Sequence, residues 1–76
     1  MNDTPCQIGA LSPRERQCLS LLARGLRYEA IAKTLGTDVR TVEKQVASAR
    51  KKLKAATREQ AVAIAIRHGL LLVEIG

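Results

Sequence analysis

The spacing of apolar residues along the chain predicts helices that are separated by short polar breaks. The first helix has a strong start signal, because Ser12 can cap it, Pro13 suits its first position and Glu15 completes a capping box. Gly25 is a suitable end point for this helix. The apolar side chains that share one face of it are Cys18, Leu19 and Leu22.

A tight turn joins the next two predicted helices. The second helix covers about Tyr28–Leu35 and ends at Gly36, since glycine accepts the left-handed backbone that a helix end often needs. Asp38 can cap a third helix over about Val39–Lys52. Its apolar positions form one stripe, namely Val39, Val42, Val46, Ala49 and Leu53. Two short helices joined in this way, the second of them basic, are typical of a helix-turn-helix.

A fourth helix is predicted over about residues 57–68, with Thr57 and Gln60 as a second capping box and Gly69 as its end. Its apolar residues cover more than one face, and such a helix is either deeply buried or shared with a partner. We therefore predict a homodimer contact through Ala61, Val62, Ile64, Ala65 and His68. The alternative is that the apolar residues 70–75 fold back over the core.

Length and charge bound the class of protein. A chain of 76 residues is one domain, which we divide into a flexible leader, residues 1–10, and a folded part, residues 11–76, with the helix-turn-helix at about 27–46. The net charge is +6, and seven basic residues lie between Arg40 and Arg58, where Glu43 is the only acidic residue. Scattered positive charge serves solubility alone, but clustering on a capped helix indicates a nucleic-acid partner.

The polar side of the third helix is the candidate DNA-contact surface. Opposite its apolar stripe lie Arg40, Lys44, Ala47, Ser48 and Lys51. Lys44 and Gln45 are predicted to reach base edges, because lysine pairs with guanine acceptors and glutamine with adenine. Contacts with phosphates position the protein without reading the base sequence, and the side chains suited to them are Thr41, Ser48, Lys51 and Lys52. The predicted contacts with double-stranded DNA are Arg27, Tyr28, Arg40, Thr41, Lys44, Gln45, Ser48, Lys51 and Lys52.

Other chemistries have little support in the sequence. Cys6 and Cys18 are too few for a disulfide framework, and no histidine accompanies them at zinc spacing, so no metal or cofactor is expected. An enzyme is not expected, because no paired carboxylates or phosphate-binding glycine loop are present and His68 fits a helix C-terminus. The absence of a signal peptide, a membrane span or an aromatic amphipathic face predicts a cytoplasmic protein without a membrane partner.

Many of these positions resemble the LuxR-type, or GerE-type, helix-turn-helix family in order and spacing. The resemblance covers about residues 11–71 and rests on LSPRER at 11–16, LARGL at 22–26, IAKTLG at 31–36, RTV at 40–42, KL at 52–53, AVA at 61–63 and GLL at 69–71. It implies an all-α fold of four helices in a bacterial transcription regulator. It further implies that the third helix reads DNA, that the fourth commonly forms a homodimer, and that the operator has two-fold symmetry.

The chain departs from the family pattern at three positions. The family usually has glutamate where this chain has Ala30, lysine or arginine at Glu43, and often histidine at Gln45. A carboxylate near phosphates is unfavourable unless it accepts a hydrogen bond from a cytosine amine or a neighbouring cation. Most relatives also carry an upstream sensory domain, so this chain is either a natural single-domain regulator or an excised effector domain.

Two functional hypotheses follow. The first is a sequence-specific, homodimeric transcription regulator. The second is a single-domain protein-interaction module that forms heterodimers with a full-length LuxR-type regulator and inhibits it. The resemblance implies, as protein partners, a larger LuxR-type regulator or RNA polymerase.

Overall fold

The computed structural model describes residues 11–68, and this part of the chain contains four α-helices and no strand. The helices are α1 (Pro13–Ala23), α2 (Tyr28–Leu35), α3 (Val39–Lys52) and α4 (Arg58–Arg67). The predicted all-α, four-helix architecture is confirmed. The predicted leader, Cys6, Gly69 and the apolar tail lie outside the described residues.

Side-chain caps begin α1, α3 and α4 much as the sequence predicts. The N–H of Glu15 donates to Oγ of Ser12 (3.1 Å) and the N–H of Ser12 donates to Oε1 of Glu15 (2.8 Å), which completes the first capping box. At α4 the N–H of Gln60 donates to Oγ1 of Thr57 (3.0 Å), but Oε1 of Gln60 accepts from the N–H of Ala56 (2.6 Å) instead of the cap residue. The second capping box is therefore only half formed.

Residues in the left-handed conformation follow three of the helices. Gly25 (φ +92°) and Gly36 (φ +70°) come after α1 and α2, where the sequence predicts breaks. After α3 the same place is taken by Lys54 (φ +56°), and the N–H of Ala55 donates to the carbonyl of Arg50 (2.9 Å). A lysine pays a steric cost for this backbone that glycine does not. α3 thus ends in a glycine-like turn built without glycine.

The core consists of two clusters of buried side chains, and α3 contributes to both. The first cluster joins α1, α3 and α4 and contains Leu11, Leu19, Ala49, Leu53, Ala61 and Ala65. The second joins α1, α2 and α3 and contains Cys18, Ile31, Ala32, Val42 and Val46. The predicted apolar stripe of α3 is therefore buried along the helix, with only Val39 half-buried. Because both clusters hold α3, its orientation relative to the other helices is well defined.

The apolar faces of α4 have different surroundings. Ala61 and Ala65 are 0% exposed and belong to the first cluster, and Val62 and Ile64 are half-buried against it. Ala61 and Ala65, both predicted dimer contacts, have no exposed surface, because their side chains already fill the monomer's own core. Ile66 is 39% exposed and points away from that core.

Candidate nucleic-acid interface

The turn between α2 and α3 is rigidly closed by backbone and side-chain hydrogen bonds. Gly36 adopts the left-handed conformation, and the N–H of Thr37 donates to the carbonyl of Ala32 (2.8 Å). Two residues later α3 begins, because Oδ1 of Asp38 accepts from the N–H of Thr41 (2.9 Å). Hydrogen bonds from Thr41 lower the pKa of Asp38 below its ordinary value. The turn fixes how α3 leaves α2.

One side of α3 is exposed along its whole length, and we call it the open face. Its residues are Arg40, Glu43, Lys44, Ala47 and Lys51. Their spacings of three and four residues place them on one side of the helix, away from the buried valines. Three of the five are cations, and Ala47 is small enough to let another surface come close. The predicted contacts Arg40, Lys44 and Lys51 are brought together here.

Ser48 and Lys52 lie elsewhere, in what we call the Glu15 cluster. Oγ of Ser48 donates to Oε2 of Glu15 (2.5 Å), and Nζ of Lys52 donates to Oε1 (2.9 Å) and Oε2 (3.2 Å) of the same carboxylate. Both side chains are half-buried between α1 and α3. Ser48 therefore does not lie on the fully exposed side of α3 where the sequence places it, because the buried carboxylate of α1 holds it, and the contacts of Ser48 and Lys52 with DNA stay predictions.

Glu15 is a residue whose tertiary role the sequence did not reveal. It is 4% exposed, and burial raises the pKa of its carboxyl group. The hydrogen bonds from Ser48 and the Ser12 N–H, together with the charge of Lys52, outweigh burial and leave the pKa below its ordinary value. The capping box identifies Glu15 locally, but the partners on α3 are 33 and 37 residues away in sequence. The cluster braces the back of α3 against α1.

Two predicted contacts occupy the flank of α3 that carries the Glu15 cluster. Thr41 and Gln45 are half-buried, and their spacing from Ser48 and Lys52 puts all four on that flank. They therefore stand at the edge of the open face, whereas Glu43 stands within it. The exposed side of α3 is thus not directly opposite the apolar stripe, as its helical spacing predicts, but is turned away from Ser48 toward Glu43.

An open groove of about 380 Å³ lies beside the open face, where α3 meets the first residues of α2 and α4. Its lining residues are Tyr28, Glu43, Val46, Ala47, Arg50, Ala56, Thr57 and Arg58. The guanidinium carbon of Arg58 lies 5.1 Å from the centroid of the Tyr28 ring, a cation–π arrangement. Tyr28 first, and then Glu59, raise the pKa of Arg58. Arg58 belongs to the basic run in the sequence but is not among the predicted contacts, and its position at the start of α4, stacked on Tyr28, places it at this groove.

The start of α2 adds an exposed arginine to the same region. Arg27 is the N-cap residue, and its side chain makes no capping hydrogen bond. The N–H groups at a helix start attract anions, and a guanidinium beside them adds positive charge. Tyr28 lines the groove from the α2 side, and Arg27 lines a neighbouring pocket that also includes Tyr28 and Arg58.

The outward surface of α4 is separate from the open face of α3. Among the described residues, Ile66 is the exposed large hydrophobic side chain. His68 at the C-cap is exposed as well, and Val62 and Ile64 are half-buried beside the first core cluster. Of the predicted dimer contacts, Val62, Ile64 and His68 therefore have surface to offer, while Ala61 and Ala65 have none.

The fold and this surface together define a helix-turn-helix DNA-binding domain: a short bracing helix, a tight turn and a basic helix with one open side. The described helices are also all too short or too polar to cross a membrane. The profile of the family described as bacterial regulatory proteins of the luxR family matches residues 9–65. The chain belongs to this family and carries its LuxR-type helix-turn-helix DNA-binding domain.

Curated relatives support the family assignment. The transcriptional activator protein BjaR1 of Bradyrhizobium diazoefficiens is 38% identical over 71 residues, which are 93% of this chain and 29% of that protein. The transcriptional regulatory proteins YdfI of Bacillus subtilis and FixJ of Azorhizobium caulinodans are 39% and 42% identical, each over 84% of this chain and 30% of the relative. The chain thus spans about three-tenths of the length of these relatives.

Solved structures show the same arrangement of helices. The transcription factor GerE superposes with a TM-score of 0.81 at 30% identity, over 84% of this chain and 96% of GerE. VqmA of Vibrio cholerae, a LuxR-type receptor described as a dimer, superposes with a TM-score of 0.75 at 31% identity, over 83% of this chain and 29% of VqmA.

Proposed function

We propose that this domain binds double-stranded DNA sequence-specifically as a homodimer, with α3 of each subunit in the major groove of a two-fold symmetric site. The observation that carries the proposal is the open face of α3. It is basic and exposed, and it lies on a helix whose opposite side is held by both core clusters. A helix braced in this way enters a major groove without losing internal contacts.

The exposed residues divide by the kind of contact they suit. Arg40 and Lys44 lie in the first two turns of α3, which in a helix-turn-helix face base edges, and lysine pairs with guanine acceptors. Lys51 is about 16 Å further along the helix axis than Arg40, at 1.5 Å per residue, and suits the phosphate backbone. Arg27 and Arg58 both line the pocket at the start of α2 and suit phosphates. Thr41 and Gln45 stay predicted contacts at the edge of the face.

DNA titration with matched variants tests this assignment. Lys51→Ala should weaken binding to all sequences alike and lower the slope of log affinity against log salt by about one. Lys44→Ala should cost about 1–3 kcal/mol on a selected site and relax the preference at one base position. Lys33→Ala removes the same charge from the exposed side of α2 and serves as the control. If the three variants behave identically, or if wild-type affinity is independent of salt, α3 is not the DNA-binding element.

The homodimer is proposed to form through the outward side of α4. It is supported by the exposure of Ile66, by the surface available at Val62, Ile64 and His68, and by the dimeric state of the relative VqmA. Ile66→Glu should shift the mass measured by light scattering from dimer to monomer. Gln17→Glu adds the same charge at an exposed site on α1 and should leave the mass unchanged. A dimeric Ile66→Glu protein would place the interface elsewhere.

A regulator that acts on bacterial DNA works in the cytoplasm, and we propose that location. A larger LuxR-type regulator and RNA polymerase are proposed as protein partners. No feature of residues 11–68 favours the inhibitory interaction module over DNA binding. Retention of selected DNA by the isolated chain would remove that alternative.

A further inference from the structure

Glu43 is an acidic side chain in the middle of the basic open face. It is exposed, and it lies one helical turn after Arg40 and one turn before Ala47. Within the part of the chain that the structure describes, the side chain of Glu43 makes no hydrogen bond or ion pair. DNA phosphates repel a carboxylate in this position, so Glu43 weakens DNA binding unless it makes a favourable contact of its own.

The nearby arginines of the groove are held by other groups. Nη1 of Arg50 donates to the carbonyl of Ala56 (2.9 Å). Nε of Arg58 donates to Oε2 of Glu59 (3.3 Å), and the guanidinium stacks on Tyr28. The carboxylate of Glu43 is therefore available as an acceptor, and the exposed methyl of Ala47 beside it allows a partner to come close.

We propose that Glu43 is a specificity-determining residue that selects cytosine at one position of each half-site, a proposal that rests on the proposed DNA-binding function. Glu43 is about 6 Å along the axis from the start of α3, within the two turns that face base edges. An ionised carboxylate only accepts hydrogen bonds, and in the major groove the cytosine N4 amine donates. Adenine also offers an amine, but its N7 acceptor lies beside that amine and repels a carboxylate.

The amide isostere gives a directional test. Glutamine pairs with both N6 and N7 of adenine, so Glu43→Gln should exchange the cytosine preference at this one position for adenine. Glu43→Ala should remove the preference. Glu29→Gln makes the same change of charge at an exposed site of α2 and should leave every preference as it is.

The experiment is selection of bound sites from random duplexes by the full chain and its three variants, followed by titration of the selected duplex and its single-base substitutions. The wild type should prefer cytosine by about tenfold at one position per half-site, and Glu43→Gln should lose this preference while its circular dichroism spectrum stays that of the wild type. If Glu43→Gln and Glu43→Ala raise affinity equally for all duplexes and keep the same preferences, the carboxylate acts only by repulsion and the inference is wrong. If the wild type retains no duplex at all, the proposed function itself fails, and the inference fails with it.

Discussion

Removal of the Glu15 carboxylate is the most informative perturbation of this fold, because one side chain links the start of α1 to the back of α3. Glu15→Ala deletes the acceptor of the Ser12 N–H, of the Ser48 hydroxyl and of the Lys52 ammonium group in a single step. The substitution leaves the three donors in place, and each of them loses the Glu15 carboxylate as a hydrogen-bond acceptor.

The cost can be built up from the three contacts. The capping bond contributes about 1 kcal/mol. The hydrogen bond from half-buried Ser48 to an ionised group contributes about 1.5–3 kcal/mol. Lys52 is 30% exposed, so water replaces much of its ion pair and we assign it under about 1 kcal/mol. Removal of the buried carboxylate also removes its desolvation penalty, which offsets part of this cost and leaves a net loss of unfolding free energy of about 2–3 kcal/mol. A domain of 76 residues has about 4–11 kcal/mol in total.

Urea unfolding followed by circular dichroism measures this loss. At an m value of about 1 kcal/mol/M, the midpoint should fall by about 2–3 M. Glu43→Ala makes the same chemical change at an exposed position of α3 and should alter stability by under about 0.5 kcal/mol. Lys52→Met keeps the carboxylate with its hydrogen bonds from Ser48 and Ser12, and should cost less than Glu15→Ala.

The order of these variants in stability tests whether the Glu15 cluster braces α3. A Glu15→Ala protein as stable as Glu43→Ala would refute the view that the cluster braces α3. If Glu15→Ala loses no more unfolding free energy than Lys52→Met, the ion pair accounts for the whole effect and the hydrogen bond from Ser48 adds nothing.

Three further outcomes are expected. Lys54→Gly should raise the unfolding free energy by about 0.5–1 kcal/mol, since glycine adopts the left-handed backbone without steric cost; a lower melting temperature would contradict this. The folded-state pKa of Glu15 lies below its ordinary value of 4.5, so its contribution is complete above that pH and is lost as pH falls through the folded pKa. The stability difference between wild type and Glu15→Gln should shrink over that acidic range, and a constant difference would argue against the linkage. Ala65→Glu should unfold the monomer, because it puts a charge into a position that is 0% exposed; a folded monomer would show that α4 is not tightly packed there.

The spacing of apolar residues in α3 predicts its buried side but not its exposed side. Its valines recur at helical spacing, and that spacing alone identifies both the helix and its buried side. The same spacing does not show which of the polar positions on the remaining surface of the helix are exposed to solvent and which contact another helix. Ser48 and Glu43 are both polar positions outside the stripe, yet Ser48 is held by Glu15 and Glu43 faces solvent.

α4 shows the same limit from the apolar side. Its row of alanine, valine and isoleucine residues correctly indicates more apolar surface than one stripe needs. Which of these residues face inward depends on where α1 and α3 present a surface that small side chains can fill. Ala61 and Ala65 fit closely against that surface, and Ile66 is left outside.

The features that the amino-acid sequence alone determined are local ones: four helices, their caps and breaks, the turn before α3 and the clustering of positive charge. They depend on backbone preferences and on neighbours within about four residues along the chain. The tertiary structure alone decided that Glu15 holds Ser48 and Lys52, that Arg58 stacks on Tyr28, and which flank of α3 stays exposed. These contacts join residues about 30 or more positions apart, and their geometry depends on how whole helices pack rather than on any pattern within one helix.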